Sequence, residues 1–181
     1  MATTTDEAQA QAQDREFLWG RRQDLLVKAL TNRRYQLERQ RIMEWREGAV
    51  KVASLVAGSA AIARLADSVL PYLAGALILP TAAALVFGWG AKARDAAKRA
   101  AEWVALETEI HAAGERDFTE AQLNAWQSHA TRIESGEPAQ NRAMLEWCYR
   151  RACEDLDRRP KAVGTLPNWR LLLPHSWRPI P

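Results

Sequence analysis

Cysteine and histidine, the residues most often used in metal and nucleophilic sites, are scarce in this sequence, which has two cysteines and three histidines among 181 residues. Cys148 and Cys153 lie in a charged segment at a spacing that fits neither a disulfide framework nor a zinc motif, so we expect reduced thiols. His111, His129 and His175 form no His-Glu-x-x-His motif, and no glycine-rich phosphate loop follows a strand pattern. We therefore predict no catalytic residue, no metal ligand and no cofactor, and we expect that the protein is not an enzyme.

Strand signals are also scarce. Helical periodicity dominates the chain, which predicts an all-α fold. The formal net charge is only +3, and the basic residues cluster beside apolar segments, which favours lipid head groups over nucleic acid as a partner. Residues 1–13 are polar and lack the apolar region of a cleavable signal peptide, so we expect a disordered tail there.

What the sequence does contain is two apolar runs. Residues 69–91 include no ionisable side chain and, at about 1.5 Å per residue, exceed a hydrocarbon core of roughly 30 Å. A weaker, alanine-rich run from Ala49 to Ile62 can span from about residue 48 to 65 if Lys51 and Arg64 reach the two interfaces. The runs predict a transmembrane helical hairpin over residues 49–91. The alternative is a pair of buried helices in a soluble all-α domain.

Charge placement predicts the orientation of this hairpin. Basic residues lie on its outer flanks: Arg33, Arg34, Arg39, Arg41, Arg46 and Lys51 before the first run, and Lys92, Arg94, Lys98 and Arg99 after the second. The connecting turn balances Arg64 against Asp67. By the positive-inside tendency both termini are expected in the cytoplasm, with Trp45 and Trp89 near the cytoplasmic interface.

Several residues of the hairpin are candidates for a function in the membrane. Lys51, Arg64 and Asp67 are ionisable groups near membrane depth, where such groups mark pathways or interfaces, although simple placement at the interface also accounts for them. Pro80 should kink the second helix, and a merely tolerated proline is an equal alternative. Small residues recur every four positions through Gly88, which favours close helix packing within the hairpin or between copies.

The remaining segments are predicted to be cytoplasmic helices and a tail. The predicted segments are a lead helix over 14–48, helices within 92–159 and a Pro/Trp-rich tail over 160–181. Gly114 should end the helix that begins at Lys92, and Thr119 with Gln122 has capping-box spacing for a helix to about Glu134. A last helix is expected from about 139 to 156. The tail either packs as an extended strap or docks on a partner.

This order of parts resembles the SLATT family, the two-transmembrane effector domains associated with SMODS-type nucleotide synthases and SLOG sensor domains. The resemblance is one of pattern and covers roughly residues 17–156. An Arg-rich lead helix with Tyr35 and Trp45 precedes a weak span and a stronger span. The stronger span leaves the membrane through Val-Phe-Gly-Trp-Gly-Ala-Lys at 86–92, and two shorter helices flank the Gly-Glu-Pro sequence at 136–138.

The resemblance implies an effector of a bacterial anti-phage or conflict system. Such an effector assembles in the inner membrane on activation by a nucleotide signal or partner sensor, and opens pores or disrupts the bilayer. Membrane lipids, further copies of the chain and a separate nucleotide-signal sensor protein are then the expected partners, because the chain shows no sensor domain of its own. Two alternatives stay open: a soluble all-helical adaptor, and a passive membrane anchor that recruits a partner through the tail.

Overall fold

A computed structural model describes residues 3–62, 86–115 and 117–160, with side chains described from residue 9 and not over 56–62. The helices are α1 (Thr3–Ile62), α2 (Trp89–Ala112), α3 (Glu120–Ser135) and α4 (Arg142–Asp155). These described ranges contain no strand. The predicted all-α fold is confirmed.

Helix α1 is longer at its start than the sequence predicted. It begins at Thr3, whereas we expected a disordered tail over 1–13 and a helix from about Asp14. The added turns are rich in alanine and glutamine, which are good helix formers, and contain no glycine or proline to stop the helix. At its other end α1 continues to Ile62, so the lead segment and residues 49–62 belong to one helix.

The ends of the later helices follow local sequence signals. Helix α2 ends at Ala112 and is followed by Gly114 at φ +77°, a left-handed conformation that glycine adopts without strain. Helix α3 has the predicted capping box between Thr119 and Gln122. Helix α4 begins later than expected, because the Asn141 side chain accepts hydrogen bonds from the backbone N–H groups of residues 143 and 144.

The chain divides into two compact units. The first unit comprises residues up to Tyr35 together with those from Arg99 onward, and the second unit comprises Gln36–Lys98. Helices α1 and α2 therefore each contribute residues to both units. The predicted hairpin falls in the second unit, and the predicted short helices fall in the first.

The first unit has its own apolar core, formed by one face of each of its first three helices. Its buried members are Leu25, Leu26 and Ala29 of α1, Trp103, Leu106 and Ile110 of α2, and Leu123, Trp126, Ala130 and Ile133 of α3. Helix α4 buries Met144 and both cysteines, which are free thiols. Burial of large apolar side chains is the main source of stability in such a core.

Polar contacts also hold the first unit together around the α3–α4 connection. The Trp103 indole N–H donates to Glu137 Oε1 over 2.9 Å, and the Asn141 backbone N–H donates to the Tyr35 hydroxyl over 2.9 Å. The Arg33 and Glu107 side chains form an ion pair at 2.9 Å between α1 and α2. The first two contacts fix the connection against α1 and α2, and the ion pair joins those two helices directly.

The membrane prediction concerns residues that lie only partly inside the described ranges. Within those ranges, no helix is both long enough and apolar enough to cross a membrane. Residues 63–85, which include most of the predicted second span and the connecting turn, lie outside the described residues. The predicted tail lies outside them from residue 161.

Candidate functional site

Four of the seven candidate residues can be located. Trp45 and Lys51 lie on α1, Trp89 is the first residue of α2, and Gly88 directly precedes it. Arg64, Asp67 and Pro80 lie outside the described residues. The located residues all belong to the second unit.

Lys51 belongs to a charged cluster between α1 and α2 in the second unit. Its Nζ atom lies 2.9 Å from Glu47 Oε1, one helical turn earlier. The Glu47 carboxylate also faces the backbone of α2, since a Cβ atom placed on Gly90 would lie only 2.5 Å from Glu47 Oε2. Glycine at position 90 therefore leaves room for this carboxylate, and Glu47 connects the two helices at this level.

Positive charge lowers the pKa of the Glu47 carboxyl. The largest cause is the hydrogen bond from Lys51, followed by the Lys51 charge, and the Arg94 charge acts in the same direction. The lysine and arginine charges thus favour the ionised form of the Glu47 carboxyl. Next to it, partial burial lowers the pKa of the Arg46 guanidinium by removing water from the charged form.

Gly88 introduces a break just before α2. Its φ of +57° lies in the left-handed region, which is costly for residues with a Cβ atom. The N–H of Lys92 donates to the Gly88 carbonyl over 3.0 Å in the first turn of α2. On either side of the glycine, the Phe87 and Trp89 rings stack with centroids 5.5 Å apart and planes 11° from parallel.

Large apolar side chains are exposed in the second unit beside the residues that are not described. The exposed fractions are 73% for Trp45, 74% for Leu55 and 80% for Val86, the three highest values among large apolar residues of the described part. Val52 and Phe87 are exposed as well. Exposed apolar groups concentrated in this way are typical of an interaction surface.

Sequence reasoning missed three residues of this site: Glu47, Phe87 and Gly90. The spacing of Glu47 and Lys51 is that of a favourable helical ion pair and could have identified the pair. Phe87 was noted only as part of the exit sequence. The close fit of Gly90 against a carboxylate needs the contact between two helices, so the sequence offered no signal for it.

The described residues provide no site for a metal ion. They contain no group of three or more histidine, cysteine or acidic side chains placed to bind one. In the first unit, His129 Nδ1 and Glu109 Oε2 form a pair at 3.4 Å. Cys148 and Cys153 are buried on α4.

Comparisons with protein-family models, with curated proteins and with solved structures find no match to this chain.

The charge cluster gives a direct prediction for pH titration. The pKa of Glu47 should lie below that of an ordinary glutamate, and Lys51→Met should raise it, because the main stabilising cation is then lost. Since the pKa is lowered in the folded chain, the contribution of Glu47 to stability is present at neutral pH and is lost as the pH falls through the lowered pKa. Carboxyl ¹³C chemical shifts of labelled glutamate measure this titration.

The matched control is Lys98→Met, which removes an exposed lysine of the same unit that is not among the groups acting on Glu47. This variant should leave the Glu47 titration unchanged. An unchanged midpoint in Lys51→Met would show that the contact between Glu47 and Lys51 does not form.

Proposed function

We propose that this protein is a two-transmembrane effector of the SLATT type, which oligomerises in the bacterial inner membrane and forms pores or disrupts the bilayer on activation. The observation that carries the proposal is the exposure of Trp45, Leu55 and Val86 on the two helical segments that lead into and out of residues 56–85. Residues 69–85 carry no charge. Lipid is the surrounding in which such exposed side chains and such an uncharged segment are both favourable.

In this proposal the two units have different tasks. The predicted hairpin over residues 49–91, which is part of the second unit, enters the bilayer, and both termini stay in the cytoplasm. Residues 69–91, together with residues 49–65, line or seal the pore formed by several copies, and Pro80 bends the second span. Lys51, Arg64 and Asp67 lie at the ends of the spans, where ionisable groups mark pathways or interfaces. The first unit, with its separate apolar core, controls assembly and receives the signal of a partner sensor protein.

A soluble all-helical adaptor is the second candidate, and two observations favour it. The first unit buries Trp103, Leu106 and Ile110 completely without any lipid. In the second unit Ala93 and Ala96 are buried, as expected for an alanine-rich core. In an adaptor the exposed apolar residues of the second unit would contact a protein partner.

Partition of the expressed full chain between soluble extract and alkaline-carbonate-washed membranes separates the two functions. The effector should stay in the washed pellet. When it is expressed and activated, it should depolarise cells loaded with a potential-sensitive dye. Leu79→Arg places a charge in the middle of the uncharged run, which raises the free energy of membrane insertion by about 2.5–3.5 kcal/mol. It should shift the protein to the soluble fraction and abolish depolarisation.

Leu37→Arg is the matched control, because it makes the same change at an exposed position of α1 outside the predicted spans. This variant should stay in the pellet. Release of the unaltered chain into the soluble extract would exclude the pore-forming effector and leave the adaptor.

A further inference from the structure

One exposed face of α1 in the second unit changes in chemistry along the helix. Arg41, Trp45 and Val52 lie on the same face, because four and eleven residues correspond to nearly whole numbers of helical turns. The Arg41 side chain is 79% exposed, and Trp45 and Val52 are also exposed. Along the axis, Trp45 lies about 6 Å beyond Arg41 and Val52 about 10 Å beyond Trp45.

The residues around the start of α2 show the same order in the opposite chain direction. Val86 and Phe87 are exposed, the Trp89 ring stacks on Phe87, and Lys92 follows in the first turn with its side chain exposed. In both segments the side chains change from aliphatic through aromatic to cationic with increasing distance from residues 56–85. The contact between Glu47 and Gly90 brings the two segments together within the second unit.

This order matches the layers of a bilayer surface. Aliphatic side chains favour the hydrocarbon, indole rings favour the interface, and arginine and lysine interact with phosphate groups outside it. A protein surface or a nucleic acid does not require the three chemistries in this order. Because the outermost groups are cations, the lipid that complements them is anionic.

We propose that Arg41 and Lys92 bind the phosphate groups of anionic phospholipids, with Trp45 and Trp89 at the level of the lipid interface. The inference rests on the proposed membrane function and adds the class of lipid that this function requires. Both side chains keep N–H groups that can donate to a ligand. Within the described part of the chain, Arg41 forms an ion pair only with Glu38, at 3.6 Å, and Lys92 forms no ion pair.

The contrast with Lys51 supports this assignment. The Lys51 ammonium group lies 2.9 Å from Glu47 and is compensated inside the unit, so it is not a lipid ligand in this proposal. Arg94 acts on the same carboxylate and is also partly compensated. Arg41 and Lys92 are the cations whose removal should weaken lipid binding most.

The test uses the full chain purified in non-ionic detergent and titrated with dioctanoyl phosphatidylglycerol, by isothermal titration calorimetry. Dioctanoyl phosphatidylcholine and inorganic phosphate are titrated in parallel. Phosphatidylglycerol should bind more tightly than both. Arg41→Gln with Lys92→Gln should weaken its binding about fivefold for each cation removed, or about twenty-fivefold together.

The charge-matched control is Arg132→Gln with Arg142→Gln, which removes two exposed arginines of the first unit. It should leave the affinity unchanged. Trp45→Ala should also weaken binding, whereas Trp147→Ala, at an indole that stacks with Arg151 in the first unit, should not.

Three results would overturn the inference: equal affinity for phosphatidylcholine, equal affinity for inorganic phosphate, or the same loss in the control double variant. Failure of the proposed function gives a different result, release of the chain from carbonate-washed membranes. A chain that stays in the pellet but does not distinguish the two lipids would keep the membrane function and refute the head-group site.

Discussion

Trp103→Ala should lower the free energy of unfolding of the first unit by about 3–5 kcal/mol, the cost of truncating a buried aromatic side chain. Trp103 is fully buried in the core that α1, α2 and α3 share. Its indole N–H also donates to Glu137, so truncation removes a hydrogen bond to the connection before α4 as well as the packing. A loss of this size approaches the whole stability of a small helical unit.

Urea unfolding of the full chain in non-ionic detergent, followed by far-ultraviolet circular dichroism, measures this loss. Trp103→Phe keeps most of the packing and loses the indole N–H, so it should cost less than Trp103→Ala. Trp147→Ala should cost little, because that side chain is partly exposed on α4. Equal losses at positions 103 and 147 would show that the core does not form as described.

The same variant separates the tasks of the two units in the proposed effector. Residues 69–91 carry the membrane insertion in our proposal, and none of them belongs to the first unit. Trp103→Ala should therefore stay in carbonate-washed membranes while depolarisation is lost. Release of the variant from the membrane would show that the first unit is required for insertion.

The helix ends could be predicted because they depend on neighbouring residues. The Thr119 and Gln122 capping box forms as its spacing indicated, and Gly114 adopts the left-handed conformation expected after a helix. The last helix was expected from about residue 139, but α4 begins at Arg142 because Asn141 caps it. The start of α1 was placed too late because a polar composition was interpreted as disorder.

Side-chain burial was predicted less well, because it depends on contacts between distant parts of the chain. Within the predicted lead helix, Leu25, Leu26 and Ala29 are buried, whereas Trp45 is exposed. Tyr35 was noted only as part of a family pattern, yet its hydroxyl accepts a hydrogen bond from Asn141. No local pattern connects residues 35 and 141.

Several residues of the candidate site were named from the sequence, but the contacts between them were not predicted. Trp45 and Trp89 were placed at an interface by their residue type and by the neighbouring charges, and that placement remains a prediction. Lys51 was considered as an isolated cation at the membrane, but in the structure it is paired with Glu47. This pairing lowers the cost of placing the lysine near lipid, because an opposite charge compensates it.

Arg22 provides the second large stability prediction. It is only 2% exposed, in a core that is otherwise mostly apolar. Its Nη2 atom donates to the Ile110 carbonyl over 3.2 Å, in the last turn of α2, where the helix dipole favours a cation. Its guanidinium carbon lies 5.7 Å from the centre of the Phe118 ring. The Nε atom has no hydrogen-bond partner among the described residues.

These contacts predict losses of different size for two substitutions. Arg22→Ala leaves a cavity and an unpaired carbonyl, and should cost about 3 kcal/mol or more. Arg22→Met fills most of the same volume and removes the buried charge together with its unsatisfied Nε, so it should cost less than half as much. Urea unfolding of the three proteins under identical conditions measures both values.

The comparison decides why an arginine is present in the core. A small loss in Arg22→Met would mean that volume is the main contribution of this side chain and that its charge adds little to stability. Equal losses in both variants would assign the stability to the hydrogen bond with Ile110 and to the Phe118 ring, and Arg22 would then be the residue that fixes the end of α2 against α1. In that case Phe118→Leu should show part of the same loss, because it removes the aromatic partner and keeps an apolar side chain at that position.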